Sequence, residues 1–265
     1  MLRGRWRIVR SCGVVLVALF AVSAAYAQAG DPVGVAFEQG RAAFKAGKYG
    51  DAIADLKKAL AIDPDYTMAK LYLGASYAMQ VQPNVKTPEN LANADAALVV
   101  LRQIPEEDEG YHNALKLMSL VYRNTDRLDD AREMELSALK IDPDDAESHY
   151  TIGVIDWRAA TQFAVSALAA DGQTDDGAGN AHMSADTCSK IKEHNTQLVE
   201  DAITHLTRAL ELRAHYADAM GYLKLVYLRR ADFDCDDPGA RAQDIELANR
   251  WGKQADVAKT AAATH

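Results

Sequence analysis

The chain has 265 residues, of which 49% are hydrophobic and 7% aromatic, and its formal net charge is −9. This length and apolar content suffice for one or two globular units with a buried core. Acidic residues (38) outnumber basic ones (29). Nucleic-acid binding is therefore disfavoured, because neutralising phosphates requires a concentrated excess of Lys and Arg.

The first 27 residues have the features of a secretory signal peptide. Four arginines precede an apolar stretch over residues 12–25, and Ala25 and Ala27 are small residues of the kind a signal peptidase recognises. An uncleaved membrane anchor is the alternative, although a spanning helix needs roughly 20 apolar residues. We expect cleavage after Ala27 and export, to the periplasm or the medium. Cleavage would leave 25 basic and 38 acidic residues, a net charge of −13, two cysteines and no stretch of membrane-spanning length.

Small residues recur along the remaining chain in a fixed pattern. Two of them lie seven residues apart, another small residue lies upstream, and in three copies a proline follows. The pairs are Ala52 and Ala59, Asn93 and Val100 in an imperfect copy, Ala131 and Ala138, and Ala202 and Ala209. The upstream residues are Gly40, Gly74, Ser119 and Gly153, and the prolines are Pro64, Pro105 and Pro143.

This pattern predicts pairs of antiparallel helices. Residues seven apart lie on nearly the same helix face, and small side chains there let two helices approach closely. The proline ends the second helix because it disfavours helical geometry at the residue before it. One such pair cannot bury its apolar face alone, so the pairs are expected to stack into a solenoid.

The sequence resembles the tetratricopeptide-repeat (TPR) family in residues 40–52 with Ala59 and Pro64, and in residues 122–128 with Ala131, Ala138 and Pro143. The resemblance implies an all-α, right-handed superhelical solenoid of about five antiparallel helix pairs within residues 28–265. The expected repeats are 33–66, 67–107, 112–145, 146–216 with an insert at 157–198, and 217–258. In the fifth, Lys224 replaces the upstream small residue, Asp237 and Pro238 begin the second helix, and the segment with Trp251 caps the solenoid.

Two repeats carry insertions. The second is lengthened around residues 81–87, and Thr87 with Pro88 predicts the next helix start. In the fourth, residues 152–170 are expected to prolong the first helix. Residues 171–180 are rich in Gly and Asp and are expected to be mobile, because loops of this length are usually functional or disordered. Residues 184–193, with Ser184 as N-cap, are expected to form a short separate helix before 197–212.

Cys188 and Cys235 are the only cysteines outside the predicted signal peptide. In an oxidising compartment an even pair of thiols most simply forms a disulfide. We expect this bond to join the insert to the last repeat. Two free cysteines are the alternative if the insert projects outward, because bonded Cα atoms must lie within about 7 Å.

No pattern in the sequence predicts catalysis, a metal site or a cofactor. Asp171, Asp175 and Asp176 only partly match a calcium loop, since its glycine and closing glutamate are missing. His182, Cys188 and His194 lie six residues apart, unlike the short pairs of zinc sites. Phosphate-loop, haem-attachment and nucleophile-elbow motifs are absent. We therefore expect a protein that is not an enzyme.

The family resemblance implies that the first helix of each pair lines a concave groove where partner peptides bind. The implied groove positions are Phe37, Arg41, Phe44, Lys45, Met68, Leu71, Ala75, Ala78, Met79, Asn113, Lys116, Leu120, Arg123, Asn124, Tyr150, Val154, Trp157, Arg158, Leu225, Leu228 and Arg229. These positions hold bases and no acid, which favours a partner segment with apolar anchors and carboxylates. Alternatively, Phe44, Tyr150 and Trp157 pack between neighbouring repeats.

The groove departs from the carboxylate-clamp type of the family. Such a clamp needs Lys with Asn or Arg at positions that are held here by Leu71, Ala75, Tyr150 and Val154. Chaperone C-terminal tails are thus disfavoured as ligands. We expect a scaffold of the cell envelope that binds a protein or peptide in its groove. The alternatives are an accessory subunit of an envelope assembly, held through its insert or convex face, and a metal-binding protein or enzyme.

Overall fold

The computed structural model describes residues 31–235 and 237–263, so the predicted signal peptide and its cleavage site lie outside the described residues. The described part is built from α-helices. In chain order they are α1 (Pro32–Lys45), α2 (Tyr49–Ile62), α3 (Thr67–Ala78), α4 (Pro88–Leu101), α5 (Tyr111–Asn124), α6 (Leu128–Ile141), α7 (Ala146–Ala170), α8 (Ala185–Leu212), α9 (Ala217–Arg230) and α10 (Pro238–Ala263), with a 3₁₀ turn at Ala231–Phe233.

The helix boundaries follow local signals in the sequence. Thr87 caps α4 by accepting a hydrogen bond from the backbone N–H of Asn90 at 3.3 Å. Asp237 caps α10 in the same way, with Oδ1 accepting from the N–H groups of Gly239 and Ala240. Before Pro64, Asp63 leaves helical geometry with φ −127° and ψ 94°, which ends α2 as predicted.

The helices form five antiparallel pairs, α1 with α2 through α9 with α10, and the second helix of each pair contacts the first helix of the next. The predicted alanines lie inside these contacts, since Ala52, Ala59, Ala131, Ala138, Ala202 and Ala209 are fully buried. The upstream glycines allow the closest approach. A Cβ on Gly40, Gly74 or Gly153 would lie 2.5–2.6 Å from Cγ of Leu56, Leu101 or Leu206 on the partner helix.

The predicted register of the second pair is wrong. Asn93 and Val100 are only partly buried, whereas Ala97 is fully buried and Leu101, four residues later, packs on Gly74. Ala97 therefore holds the place of Ala52. The connection is correspondingly longer than predicted, because Ala97 lies 23 positions after Gly74, whereas the predicted Asn93 lies 19 positions after it.

In the fifth pair, the small residue lies on the other helix. Gly252 of α10 faces the side-chain stem of Lys224 of α9, and a Cβ on Gly252 would lie 3.1 Å from Lys224 Cδ. Lys224, at the position where the repeat pattern predicts a small residue, thus packs against Gly252 of the other helix, which the repeat pattern does not predict. Trp251 packs beside this contact against the apolar cluster of the last two pairs, consistent with α10 closing the solenoid.

The insert of the fourth repeat consists mainly of two helix extensions. Helix α7 continues to Ala170 as predicted. The predicted short helix over 184–193 is not separate, because α8 runs without interruption from Ala185 to Leu212, with Ser184 Oγ accepting from the Thr187 N–H. The disulfide between Cys188 and Cys235 is present, as predicted, with the Cα atoms 6.4 Å apart.

Candidate functional site

A concave feature among the described residues spans the first helices of the first four pairs. We call it the central cleft. Its volume is about 480 Å³, which lies in the range typical of ligand sites. The cleft is lined by Phe44, Met68, Leu71, Tyr72, Ala75, Asn113, Lys116, Leu117, Leu120, Arg123, Glu135, Glu147 and Thr151.

Helix α5 supplies the middle of the cleft. Asn113, Lys116, Leu120 and Arg123 follow one another at intervals of three or four residues, so they lie along one face of this helix. Helix α3 adds a wall of mainly apolar side chains, from Met68 to Ala75. The structure thus brings together much of the groove predicted for the first three pairs, including Phe44, Lys116 and Arg123.

Phe37 is not a groove residue. It is only 6% exposed and packs on the rings of Tyr66 and Tyr72, with centroid distances of 4.9 and 5.7 Å. Phe44 contacts the same Tyr72 ring edge-on at 5.4 Å but also lines the cleft. Phe37 therefore belongs to the core that supports the cleft wall.

Three other predicted residues lie outside the cleft. Arg41 pairs with Glu38 on the surface of α1, and Lys45 is exposed in the last turn of that helix. Met79 is 40% exposed and lines a separate depression beside Thr87.

Tyr150 and Trp157 hold the fourth pair against the fifth. Tyr150 contacts the rings of Tyr216 and Tyr222 at centroid distances of 4.8 and 5.7 Å, and Trp157 contacts Tyr222 at 5.3 Å. Burial raises the pKa of Tyr150 to about 12, with smaller contributions from Tyr222 and nearby carboxylates. These two aromatic side chains pack between repeats, which is the alternative that the sequence leaves open, and neither lines the central cleft.

Arg158 and Asn124 form hydrogen bonds that connect the turns of neighbouring repeats. The Arg158 guanidinium donates to the backbone oxygen of Arg123 at 2.9 Å and to the side-chain oxygens of Asn84 and Asp126 at 2.6 and 2.8 Å. Asn124 Nδ2 donates to the Val81 backbone oxygen at 3.0 Å. Both side chains are thus occupied in fixing the loop of the second repeat, and neither lines the central cleft.

Arg229 is a buried structural residue, which corrects its assignment to the groove. It is 6% exposed, and its two terminal nitrogens each lie 2.7 Å from a carboxylate, that of Asp175 in the insert or that of Asp232 in the 3₁₀ turn. Asn180 donates to both carboxylates, at 2.8 and 3.0 Å. These contacts anchor residues 171–183 to the fifth pair, which the Gly- and Asp-rich composition of the segment does not predict. The expected mobility of residues 171–180 stays a prediction.

The cleft contains two carboxylates, although the sequence predicts a groove with bases and no acid. Glu147 Oε2 accepts from the Tyr216 hydroxyl at 2.7 Å. Glu135 comes from α6, the second helix of the third pair, and is 2% exposed. Burial raises the pKa of Glu135, against the opposing effects of the Ser119 and Ser148 hydroxyls and of Arg123 and Lys116.

The two cations of the cleft differ in their surroundings. Lys116 Nζ lies 2.7 Å from Asp145 Oδ2. Burial disfavours ionisation of Asp145, but Lys116, Ser148 and the Glu147 N–H outweigh it and lower the Asp145 pKa. Arg123 Nε, by contrast, is buried and has no hydrogen-bond partner among the residues that the structure describes. Arg123 is therefore the cation with unused hydrogen-bonding capacity for a ligand.

Within residues 31–235 and 237–263, no cluster of three or more metal-ligating side chains is found. No helix in those ranges is sufficiently long and apolar to cross a bilayer.

Comparison with known proteins identifies the repeat. A family model described as TPR repeat matches residues 40–81. No curated protein sequence is significantly similar to the chain.

Solved structures share the fold at low identity. A crystal structure of MamA is 15% identical, with a TM-score of 0.54 over 85% of this chain and 97% of that one. MamA from Desulfovibrio magneticus RS-1 is 12% identical, with the same TM-score over 84% and 97%. YrrB, described as a TPR protein with an unusual peptide-binding site, is 13% identical, with a TM-score of 0.52 over 90% and 97%.

Proposed function

We propose, from the premise that this chain is a tetratricopeptide-repeat protein, that it is a non-enzymatic scaffold of the cell envelope and binds a peptide or protein segment in its central cleft. The expected ligand is an extended or helical segment with apolar anchors and carboxylates. TPR proteins bind protein or peptide partners, and the peptide-binding site attributed to YrrB gives an example on a similar fold.

The observation that carries this proposal is the composition of the central cleft. Leu71 and Leu120 are partly exposed on facing first helices, in a cleft lined mainly by apolar side chains. Arg123 at the same surface retains an unpartnered N–H. Apolar surface next to a free guanidinium is typical of interface centres, because burial of both on binding excludes water around a charged hydrogen bond.

Location in the envelope is part of the proposal. The support is the signal-like segment at residues 1–27 and the pairing of Cys188 with Cys235, since disulfides persist mainly outside the cytoplasm. Mass spectrometry of the protein from cell fractions tests it. The proposal predicts an N-terminus at Gln28 in the exported fraction, whereas a full-length N-terminus in membranes would contradict it.

The binding role is tested by affinity capture from an envelope extract. Leu71→Asp with Leu120→Asp places two charges in the cleft, whereas Ile62→Asp with Ile141→Asp places them at exposed helix ends, where the side chains are 55% and 51% exposed. We expect the first variant to lose its partners and the second to keep them. Equal capture by both variants would contradict binding in the cleft.

A third variant addresses the accessory-subunit alternative. Val165, 44% exposed on the α7 extension, belongs to the insert. The alternative predicts that Val165→Asp loses partners while the cleft variant keeps them. The proposal predicts the opposite. Circular dichroism of each variant checks that the solenoid remains folded.

A further inference from the structure

Glu135 occupies a position that is a core leucine in other pairs. It lies four residues after Ala131, as Leu56 lies four after Ala52 and Leu206 four after Ala202. Those leucines are fully buried against glycines of the facing helix. In the third pair the facing residue is Ser119, which is also fully buried. The third pair thus replaces an apolar Gly–Leu contact with two polar side chains.

The hydrogen-bonding capacity of this polar contact is not used within the described structure. Glu135 Oε2 and Ser119 Oγ are both buried and both lack a hydrogen-bond partner among the described residues. The Ser119 and Ser148 hydroxyls lie near the Glu135 carboxyl and favour its ionised form, but the Ser148 hydroxyl donates to Asp145 at 3.0 Å, and neither hydroxyl has hydrogen-bond geometry to Glu135 Oε2. A buried carboxylate oxygen without a donor is unfavourable, and Glu135 lines the central cleft.

Arg123 brings an unused donor to the same cleft. Its Nε is buried without a partner among the described residues, and Arg123 lies close enough to Glu135 to favour the carboxylate electrostatically. The other cation of the cleft, Lys116, is paired with Asp145. The cleft floor therefore offers one unmet acceptor on α6 and one unmet donor on α5.

We propose that Glu135 and Arg123 form a subsite for the side-chain carboxamide of an Asn or Gln residue in the bound segment. The carboxamide NH₂ donates to Glu135, and its oxygen accepts from the Arg123 guanidinium. This subsite rests on the proposed binding of a segment in the cleft and names the type of side chain that is recognised at the floor of the cleft.

Charge distinguishes a carboxamide from its competitors. A partner carboxylate satisfies Arg123 but meets the carboxylate of Glu135, and a partner ammonium group satisfies Glu135 but meets Arg123. An apolar side chain leaves both buried groups unsatisfied, and sites built to hydrogen-bond a ligand reject analogues that lack the matching group. The neutral carboxamide is the common side chain that supplies both a donor and an acceptor.

Selection from a phage-displayed random peptide library on the full mature chain tests the subsite. We expect the wild type to enrich peptides with Asn or Gln between apolar residues. Synthetic versions of the dominant peptide, with that residue changed to the isosteric Asp or Glu, are expected to bind roughly tenfold or more weakly.

Glu135→Gln replaces the acceptor-only carboxylate with a group that can also donate, at nearly the same volume. We expect this variant to lose or reverse the tenfold preference and to enrich acidic peptides. Glu133→Gln, an exposed acid on the same helix, is the matched control and is expected to select as the wild type does. The synthetic peptide series on the wild type remains decisive if Glu135→Gln does not fold.

The outcomes separate this inference from the proposed function. Enriched peptides that lose binding to Leu120→Asp but show no carboxamide preference, or that carry Lys at this position, overturn the subsite and leave the function standing. An amide preference that is unchanged in Glu135→Gln also overturns the subsite. If the wild type enriches no peptide at all, the proposed function fails, and the subsite fails with it.

Discussion

Gly153 of α7 lies directly against Leu206 of α8, so closely that a Cβ on Gly153 would come within 2.5 Å of Leu206 Cγ and 3.2 Å of the Ala202 backbone oxygen. The same relationship joins Gly40 to Leu56 and Gly74 to Leu101. Because the leucine fills the space that a side chain would need, the two helices of a pair pack at the distance that glycine allows.

Gly153→Ala is expected to destabilise the protein by about 1–3 kcal/mol, since overpacking displaces a buried leucine or the helix behind it. Gly221→Ala is the matched control, because Gly221 is also in a first helix but a Cβ there would meet no described side chain or neighbouring helix within 4 Å. There, the change should stabilise by about 0.5–1 kcal/mol through helix propensity. Urea denaturation measures both, and similar effects at the two positions would contradict the close contact.

Arg229→Ala is expected to cost about 3–5 kcal/mol, because it leaves the buried carboxylate of Asp232 without its cation. It should also release residues 171–183, which hydrogen exchange would detect as lost protection in that segment. Arg41→Ala removes an exposed pair with Glu38 and should change the free energy of unfolding far less than Arg229→Ala does, because solvent screens a surface ion pair. An insert that keeps its protection in Arg229→Ala would show that this ion pair does not anchor it.

The Cys188–Cys235 bond closes a loop with a sequence separation of 47. In the chain-entropy model its loss costs about 4 kcal/mol, so Cys188→Ser with Cys235→Ser should unfold at a lower urea concentration. Thiol titration of the denatured protein without reductant checks the bond itself. The chain from residue 28 onward should show no reactive thiol, and two reactive thiols would exclude the disulfide.

Glu135→Gln is expected to stabilise the unliganded protein at neutral pH, on the order of 1 kcal/mol, because the wild type buries a carboxylate with an unpartnered oxygen. Burial raises the folded-state pKa of Glu135 above its ordinary value of 4.5. The folded wild type therefore binds more protons than the unfolded chain between these two pKa values, and its stability falls as the pH rises through that window.

The stability difference between Glu135→Gln and the wild type should consequently be small at a pH below 4.5 and should grow to a plateau as the pH rises. Thermal denaturation across this pH range measures it, with Glu133→Gln as the variant expected to show no such growth. A difference that does not change with pH would mean that the Glu135 carboxylate finds a partner in the folded protein.

Local patterns in the sequence predict most of the fold. Pro64 and Pro143 end helices, Ser184 and Thr87 cap them, and the alanine pairs lie in helix contacts, because each signal acts within a few residues of its effect. The second pair shows the limit of local patterns. Its longer loop allows two registers, and only packing against Gly74 selects Ala97 and Leu101.

The site is predicted less well, because its residues depend on contacts between distant segments. Arg229 matches a groove position, yet Asp175 of the insert, 54 residues earlier, covers it and binds it. Glu135 escapes prediction because the family resemblance points to first helices, whereas Glu135 lies on a second one. The leucines at the same repeat position, Leu56 and Leu206, are the signal that could have identified it, since an acid at a core leucine position is unusual.

Site-specific photocrosslinking in cells tests binding in the central cleft most directly. A photoreactive amino acid is placed at Leu71 or Leu120 in the cleft, or at Ile62 or Ile141 outside it. Binding in the cleft predicts that the first two positions form a common adduct with a partner protein and that the second two do not. Adducts at Ile62 or Ile141, with none from Leu71 and Leu120, would contradict it.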